Sequence, residues 1–97
     1  MESPAPTHVP GGHKGAFVID RDGKRLATMT YSLAGDNILI IDHTEVDDAL
    51  RGSGAGARLV AAAVEWARAE GRRVIPLCPF AKSVFERKPE YADVLMP

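Results

Sequence analysis

The sequence predicts an α+β domain on a mixed sheet, in which an antiparallel meander is followed by a helix, a parallel strand and a second helix. Three observations carry that prediction. β-like runs broken by turn signals extend to Val46, helical periodicity takes over after Gly54, and an apolar run near residue 75 lies one helix-length beyond the last meander strand. A connection of that length suits a parallel crossover, whereas two-residue turns join antiparallel neighbours.

Residues 1 to 12 carry three prolines and two glycines with few apolar side chains, so they read as a flexible N-terminal tail ahead of a domain spanning residues 13 to 97. GAFVID (15–20) and KRLATMTYSL (24–33) flank Asp22-Gly23, a strong hairpin signal, and pair antiparallel. A turn at AGDN leads into ILIIDHTEV (38–46), which is rich in β-branched residues and completes a three-strand meander. From Gly54 or Ala55 to Ala69, Leu59, Val60, Ala63, Val64 and Ala67 recur at helical spacing, leaving Arg58, Glu65 and Arg68 for the wet side. Gly71 ends that helix as a left-handed cap. RRVIPLC (72–78) is the parallel strand, stopped by Pro79; FAKSVFERK (80–88) is the second helix, ended before Pro89; and EYADVL (90–95) is a last strand or packed tail.

At 97 residues, 45% hydrophobic and 26% charged, the chain has the balance of one small folded domain. A net charge of −1 and a pI near 6.3 provide no broad basic field, which argues against nucleic acid as a partner. The N-terminus lacks the pattern of a secretory signal and no stretch reaches membrane-spanning length, so the expectation is a cytoplasmic protein with no membrane partner. A lone cysteine, Cys78, fits a reducing compartment. His8 and His13 belong to or border the tail, and no His, Cys and acid spacing suggests a metal site.

RGSGAG (51–56) puts three glycines in five positions at the mouth of the first helix. A P-loop would need Gly-Lys followed by Ser or Thr, and here Gly56 precedes Ala57 and Arg58. A dinucleotide loop would directly follow the first strand of its unit and would want an acid at the end of the next one; Asp47 to Leu50 intervene, and RVIPLC ends in Cys78. What remains is an arginine, two residues, Gly, one residue, Gly: Arg51, Gly54 and Gly56. Unpaired N–H groups at a helix start, with the dipole behind them and no Cβ atoms in front, favour an anion, and Arg51 adds a charge. As a bare turn, the same glycines would only route strand into helix.

This arginine-glycine pattern resembles the coenzyme A pyrophosphate loop of the GNAT N-acetyltransferase superfamily, whose central unit has the same order of elements. HTEV at 43 to 46, RGSGAG, and VIPLCPFAKSVFERKPEY at 74 to 91 resemble its small single-domain branch, which carries Thr-Glu-Val, Pro-x-Cys-Pro and Pro-Glu-Tyr motifs. The resemblance covers about residues 13 to 95 and implies a GNAT-like fold that binds acetyl-CoA. It further implies acetyl transfer to an amine acceptor, a small molecule or a protein, that the sequence does not identify.

By that resemblance, the pantetheine arm lies between HTEV and PLCPF, where backbone groups near Glu45, Val46 and Asp47 hydrogen-bond it. The implied cofactor-binding residues are Glu45, Val46, Arg51, Gly52, Ser53, Gly54, Ala55, Gly56, Cys78, Phe80 and Phe85. Lys82 and Arg87 would meet phosphates, although core packing explains Phe85 equally well. Cys78, just ahead of a helix start that favours thiolate, is a candidate nucleophile, with a buried inert thiol as the alternative. His43 and Glu45 share a strand face; Glu45 is the candidate catalytic base and His43 a second, each with an ordinary surface role as the alternative.

Two departures stand out. The tyrosine that reprotonates the leaving thiolate in many relatives is replaced by Phe85, and the usual His-Pro-Glu-Tyr reads Lys88-Pro89-Glu90-Tyr91. The expectation is therefore an acetyltransferase acting directly or through Cys78; a non-catalytic coenzyme A binding module is the alternative.

Overall fold

The computed structural model describes residues 5–96. Strands β1 (Thr7–Gly11), β2 (Lys14–Arg21), β3 (Lys24–Ala34) and β4 (Ile38–Val46) form an antiparallel meander. Helix α1 (Ala55–Glu70) then crosses to β5 (Arg73–Pro76), which pairs parallel to β4 and completes a sheet ordered β1-β2-β3-β4-β5. Helix α2 (Pro79–Arg87) follows, and one-turn 3-10 segments lie at Asp48–Leu50 and Pro89–Tyr91. The mixed α+β architecture is the one read from the sequence.

Local chemistry accounts for most boundaries. Asp22 and Gly23, at φ 53° and 78°, form the tight β2–β3 turn whose positive φ values match strand twist. Gly71, at φ 70°, closes α1 with its N–H on Ala67 and Arg68 carbonyls. Pro79 occupies the first turn of α2, where its missing N–H has no intrahelical acceptor to reach.

The core lies on one face of the sheet. Leu59, Val60, Ala63, Val64 and Ala67 of α1 and Val84 and Phe85 of α2 pack in one cluster with Ile19, Met29, Tyr31, Leu39, Ile41 and Val74. Full burial of each such large aliphatic side chain contributes about 1.5–3 kcal/mol. Among the described residues no helix covers the opposite face, and none is long and apolar enough to cross a membrane.

One segment differs from the sequence reading, and the segment after Pro89 takes the packed-tail form of the two that reading allowed. Thr7–Gly11, inside the expected tail, form an edge strand on β2, and Pro10 is tolerated there because an edge strand needs no donor on its outer side. The reading of residues 1 to 4 lies outside the described residues. The segment after Pro89 makes only a single bridge, Val74 to Leu95, with Met96 N–H donating to Val74 at 2.9 Å. It is held instead by Arg68, whose guanidinium forks onto Asp93 at 2.8 and 2.9 Å and donates to the Glu90 carbonyl at 2.8 Å.

Candidate functional site

The β4–β5 ladder is short, running from Ile38 against Arg73 to Ile41 against Pro76. There the N–H groups of Leu77 and Cys78 converge on the Ile41 carbonyl at 3.1 and 3.3 Å, and the chain turns into α2 while β4 continues alone to Val46. The two strands therefore part. A bulge beside Asp42 shifts the β3–β4 register: Ile41 faces Tyr31, and the next core-side pair is Thr44 with Met29. Thr44 and Val46 consequently point to the helix face, while His43 and Glu45 point to the open face.

Backbone groups follow the same alternation. The Asp47 N–H donates to the Leu26 carbonyl at 2.7 Å, so hydrogen-bonded positions 47 and 45 face β3 and the intervening Val46, like Thr44, turns its backbone polar groups into the gap. Of the three residues expected to offer backbone groups, Val46 is the one that does.

On the helix face, a cavity of about 570 Å³ lies over the glycine loop, bounded by Thr44 and Val46 on one side and Phe80 and Arg87 of α2 on the other. Its floor is Arg51, Gly52, Gly54, Ala55, Gly56 and Ala57. Gly52 and Gly54 hold φ values of 78° and 82°, which strain other residues, and no side chain caps α1, so its first N–H groups open into this floor. A Cβ on Gly56 would stand 2.6 Å from the Phe80 ring, so bare backbone is what lets that ring close down on the loop. Arg51 pairs with Asp48 at 2.7 Å, but both side chains are largely exposed, so the pair is weak and the guanidinium is free to turn to an incoming anion.

Cys78 sits in the gap, buried, with Sγ 3.4 Å from Thr44 Oγ1. Burial pushes the thiol pKa up, yet the Thr44 hydroxyl, the backbone at Ala81 and Phe80 at the start of α2, and the Thr44 backbone together outweigh it. The thiol is held below its ordinary value.

On the open face lies a groove of about 700 Å³ lined by Lys14, Gly15, Thr30, Tyr31, Asp42, His43, Leu77 and Pro79. The Ser32 hydroxyl donates to Asp42 at 2.7 Å, and Leu77 is 64% exposed. Cavity and groove thus occupy opposite faces of the sheet at the level where β4 and β5 part.

Of the residues expected at the cofactor, Val46, Arg51, Gly52, Gly54, Ala55, Gly56 and Phe80 line one cavity, joined by Arg87. Four others do not. The Ser53 hydroxyl donates to the Leu50 carbonyl at 2.5 Å; Cys78 lies behind Thr44; Phe85 is buried in the core against Tyr91; and Glu45 opens into a separate recess beside Arg25 and Asp47. Lys82 lies on the far side of α2, beside Pro76 and Glu86. Thr44, Leu50 and Ala57 also line the cavity and were not expected. The bulge that turns Thr44 inward left no local trace in the sequence, while Ala57, one step past Gly56, was implicit in the helix start.

A family model described as GCN5-related N-acetyl-transferase matches residues 16–94. Among solved structures, a GCN5-like protein from Staphylococcus aureus determined by NMR is 38% identical with a TM-score of 0.71, over 93% of this chain and 87% of that one. The ribosomal-protein-S18-alanine N-acetyltransferase from Escherichia coli (17% identity, TM-score 0.67) shares the fold over 80% of this chain, which spans only 53% of that enzyme. An aminoglycoside N-acetyltransferase in complex with CoA (18% identity, TM-score 0.61) shares it over 79% of this chain and 62% of its own length. No curated protein matches the chain.

Proposed function

The chain belongs to the GCN5-related N-acetyltransferase family, and from that premise we propose that it binds acetyl-CoA over the glycine loop and transfers the acetyl group to a primary amine arriving from the open face. The observation that carries the proposal is the uncapped start of α1, with bare glycine backbone and two arginines, Arg51 and Arg87, around a cavity that leads to the gap between β4 and β5. Such a start favours pyrophosphate, and the polar backbone of Val46 in the gap suits an amide-bearing arm.

Acetyl-CoA supplies a thioester carbonyl; the protein's part is placement and proton handling. The gap fixes the arm between Thr44 and the start of α2, and a free backbone N–H there is positioned to stabilise the oxyanion that develops on attack. An amine attacks only when neutral, and His43, which lines the groove, is the side chain placed to take its proton. Glu45 lies on the same face but in the neighbouring recess, beside Arg25 and Asp47. Cys78 offers the other route, in which its thiolate takes the acetyl group and passes it to the amine.

One observation favours the rival reading of a coenzyme A binding module. No tyrosine on α2 stands ready to reprotonate a leaving thiolate: Phe85 is core, the Ser83 hydroxyl donates to the Phe80 carbonyl at 2.7 Å, and Tyr91, beyond the helix, packs edge-on against Phe85 at 5.7 Å with Arg68 over its face at 6.0 Å.

Calorimetric titration with acetyl-CoA tests the common premise, using Ala57→Glu as the control. A carboxylate in the first turn suits the helix dipole and spares the fold, but it repels pyrophosphate from the cavity floor. Saturable binding by wild type, lost in a fully folded Ala57→Glu protein, supports the site. Equal binding by both rejects it. Amine-dependent release of free thiol then separates enzyme from module.

A further inference from the structure

We infer that the acceptor amine is carried on a polypeptide, as a lysine or N-terminal amine laid across the open-face groove with an apolar neighbour against Leu77 and an acidic neighbour toward Lys14. This rests on the functional reading above and adds the acceptor class to it.

The charge inventory decides against free polyamines and other polycations. The ionisable side chains lining the groove are Lys14, Asp42, His43 and Tyr31, whose phenol burial keeps protonated, so the one carboxylate is balanced by a lysine, and the Ser32 hydroxyl already occupies one side of it. A site selective for several ammonium groups needs several carboxylates. A single amine steered by Asp42 to His43 needs no more than is present.

The apolar inventory points the same way. Among the described residues Leu77 has the highest exposure of the large hydrophobic side chains, and exposed Pro79 lines the same groove. Its position follows from the parting of the strands: Cys78 turns inward to Thr44, so Leu77, its neighbour, must turn outward on the face where the amine arrives. A side chain so placed contributes affinity only when a partner covers it. The groove is about 700 Å³, and exposed Leu77 and Pro79 beside His43 give the side chain next to a peptide amine an apolar surface to cover.

The test compares spermidine with a capped hexapeptide bearing one lysine flanked by leucine and glutamate, each with acetyl-CoA. Thiol release gives kcat/KM, peptide binding to the CoA-bound protein is followed by NMR, and acetyl-CoA affinity is measured separately. The inference expects the peptide to be the better substrate. Leu77→Asp should lower its kcat/KM about tenfold and weaken peptide binding, with acetyl-CoA affinity unchanged. Lys14→Glu should lose the glutamate peptide and recover with a lysine in place of that glutamate. A higher kcat/KM for spermidine, an indifferent Leu77→Asp, or no peptide turnover in a protein that binds acetyl-CoA overturns the acceptor class and leaves the cofactor reading standing. Failure to bind acetyl-CoA overturns the cofactor reading itself.

Discussion

His8 Nε2 lies 2.5 Å from Tyr31 Oη, so a residue of the edge strand β1 is joined to β3 across the intervening β2. Gly15 makes the crossing possible, since a Cβ there would stand 2.5 Å from the phenol oxygen and 2.8 Å from the Val9 carbonyl. The imidazole also stacks on Phe17 at 4.5 Å and meets Trp66 edge-on at 4.7 Å. Burial holds its pKa below the usual 6.5, with Glu70 pulling the other way, while Arg72 sits 5.7 Å over the Trp66 ring and stabilises the Tyr31 phenolate against burial. Because the unfolded chain takes up this proton more readily, the stability His8 contributes is complete above pH 6.5 and is lost as pH falls through the folded value. Urea midpoints of wild type and His8→Phe, compared from about pH 7.5 to 5, should therefore diverge, with wild type losing more. Parallel curves would mean the ring titrates alike in both states.

That contact also shows why β1 was illegible in the sequence. Pro10, Gly11 and Gly12 are the local signature of a mobile end, and what orders Thr7–Gly11 is an aromatic cluster drawn from β2, β3 and α1. The Asp22-Gly23 turn, the Gly71 cap and the glycine loop were legible because their chemistry is contained in a few consecutive residues. The face assignment around Thr44 was not, because one extra residue at a bulge reverses inside and outside beyond it, and strand periodicity cannot register a bulge that only the partner strand reveals.

Thr44→Val tests the environment of Cys78. The hydroxyl heads the interactions that lower the thiol pKa, so its loss leaves burial less opposed and should move the thiolate titration, read by ultraviolet absorbance, to higher pH. Removing one neutral side-chain hydrogen bond also costs about 0.5–1.5 kcal/mol of stability. If Cys78 carries the acetyl group, Cys78→Ala abolishes turnover and the wild type shows an acetyl adduct on that residue in mass spectra. Undiminished turnover in Cys78→Ala leaves direct transfer as the route.

His43 and Glu45 are separated by the groove boundary, so their variants should behave differently. His43→Ala is expected to lower kcat/KM on the order of 10²–10⁴-fold with acetyl-CoA affinity intact. Glu45→Ala, opening into the recess beside Arg25 and Asp47, should change the rate only modestly. A larger loss in Glu45→Ala than in His43→Ala would move the base to Glu45 acting through water.

Gly56→Ala separates the fold's requirement for this glycine from the site's. Gly56 is inside α1 and has no positive φ, so alanine should favour the helix by up to about 1 kcal/mol. The new Cβ meets the far end of the Phe80 ring at 2.6 Å, and that side chain, 39% exposed, has room to swing aside. Stability should therefore be nearly unchanged, while the displaced ring, which lines the same cavity, obstructs or reshapes it and weakens acetyl-CoA binding. Adding Phe80→Ala in the Gly56→Ala background should restore part of the lost affinity, since the obstruction is the ring and not the methyl. Thermal melts and calorimetry on the two single variants and the double variant measure both quantities. Coupling in affinity without coupling in stability would identify the contact between Gly56 and Phe80 as an element of ligand binding, and the reverse pattern would identify it as ordinary helix packing.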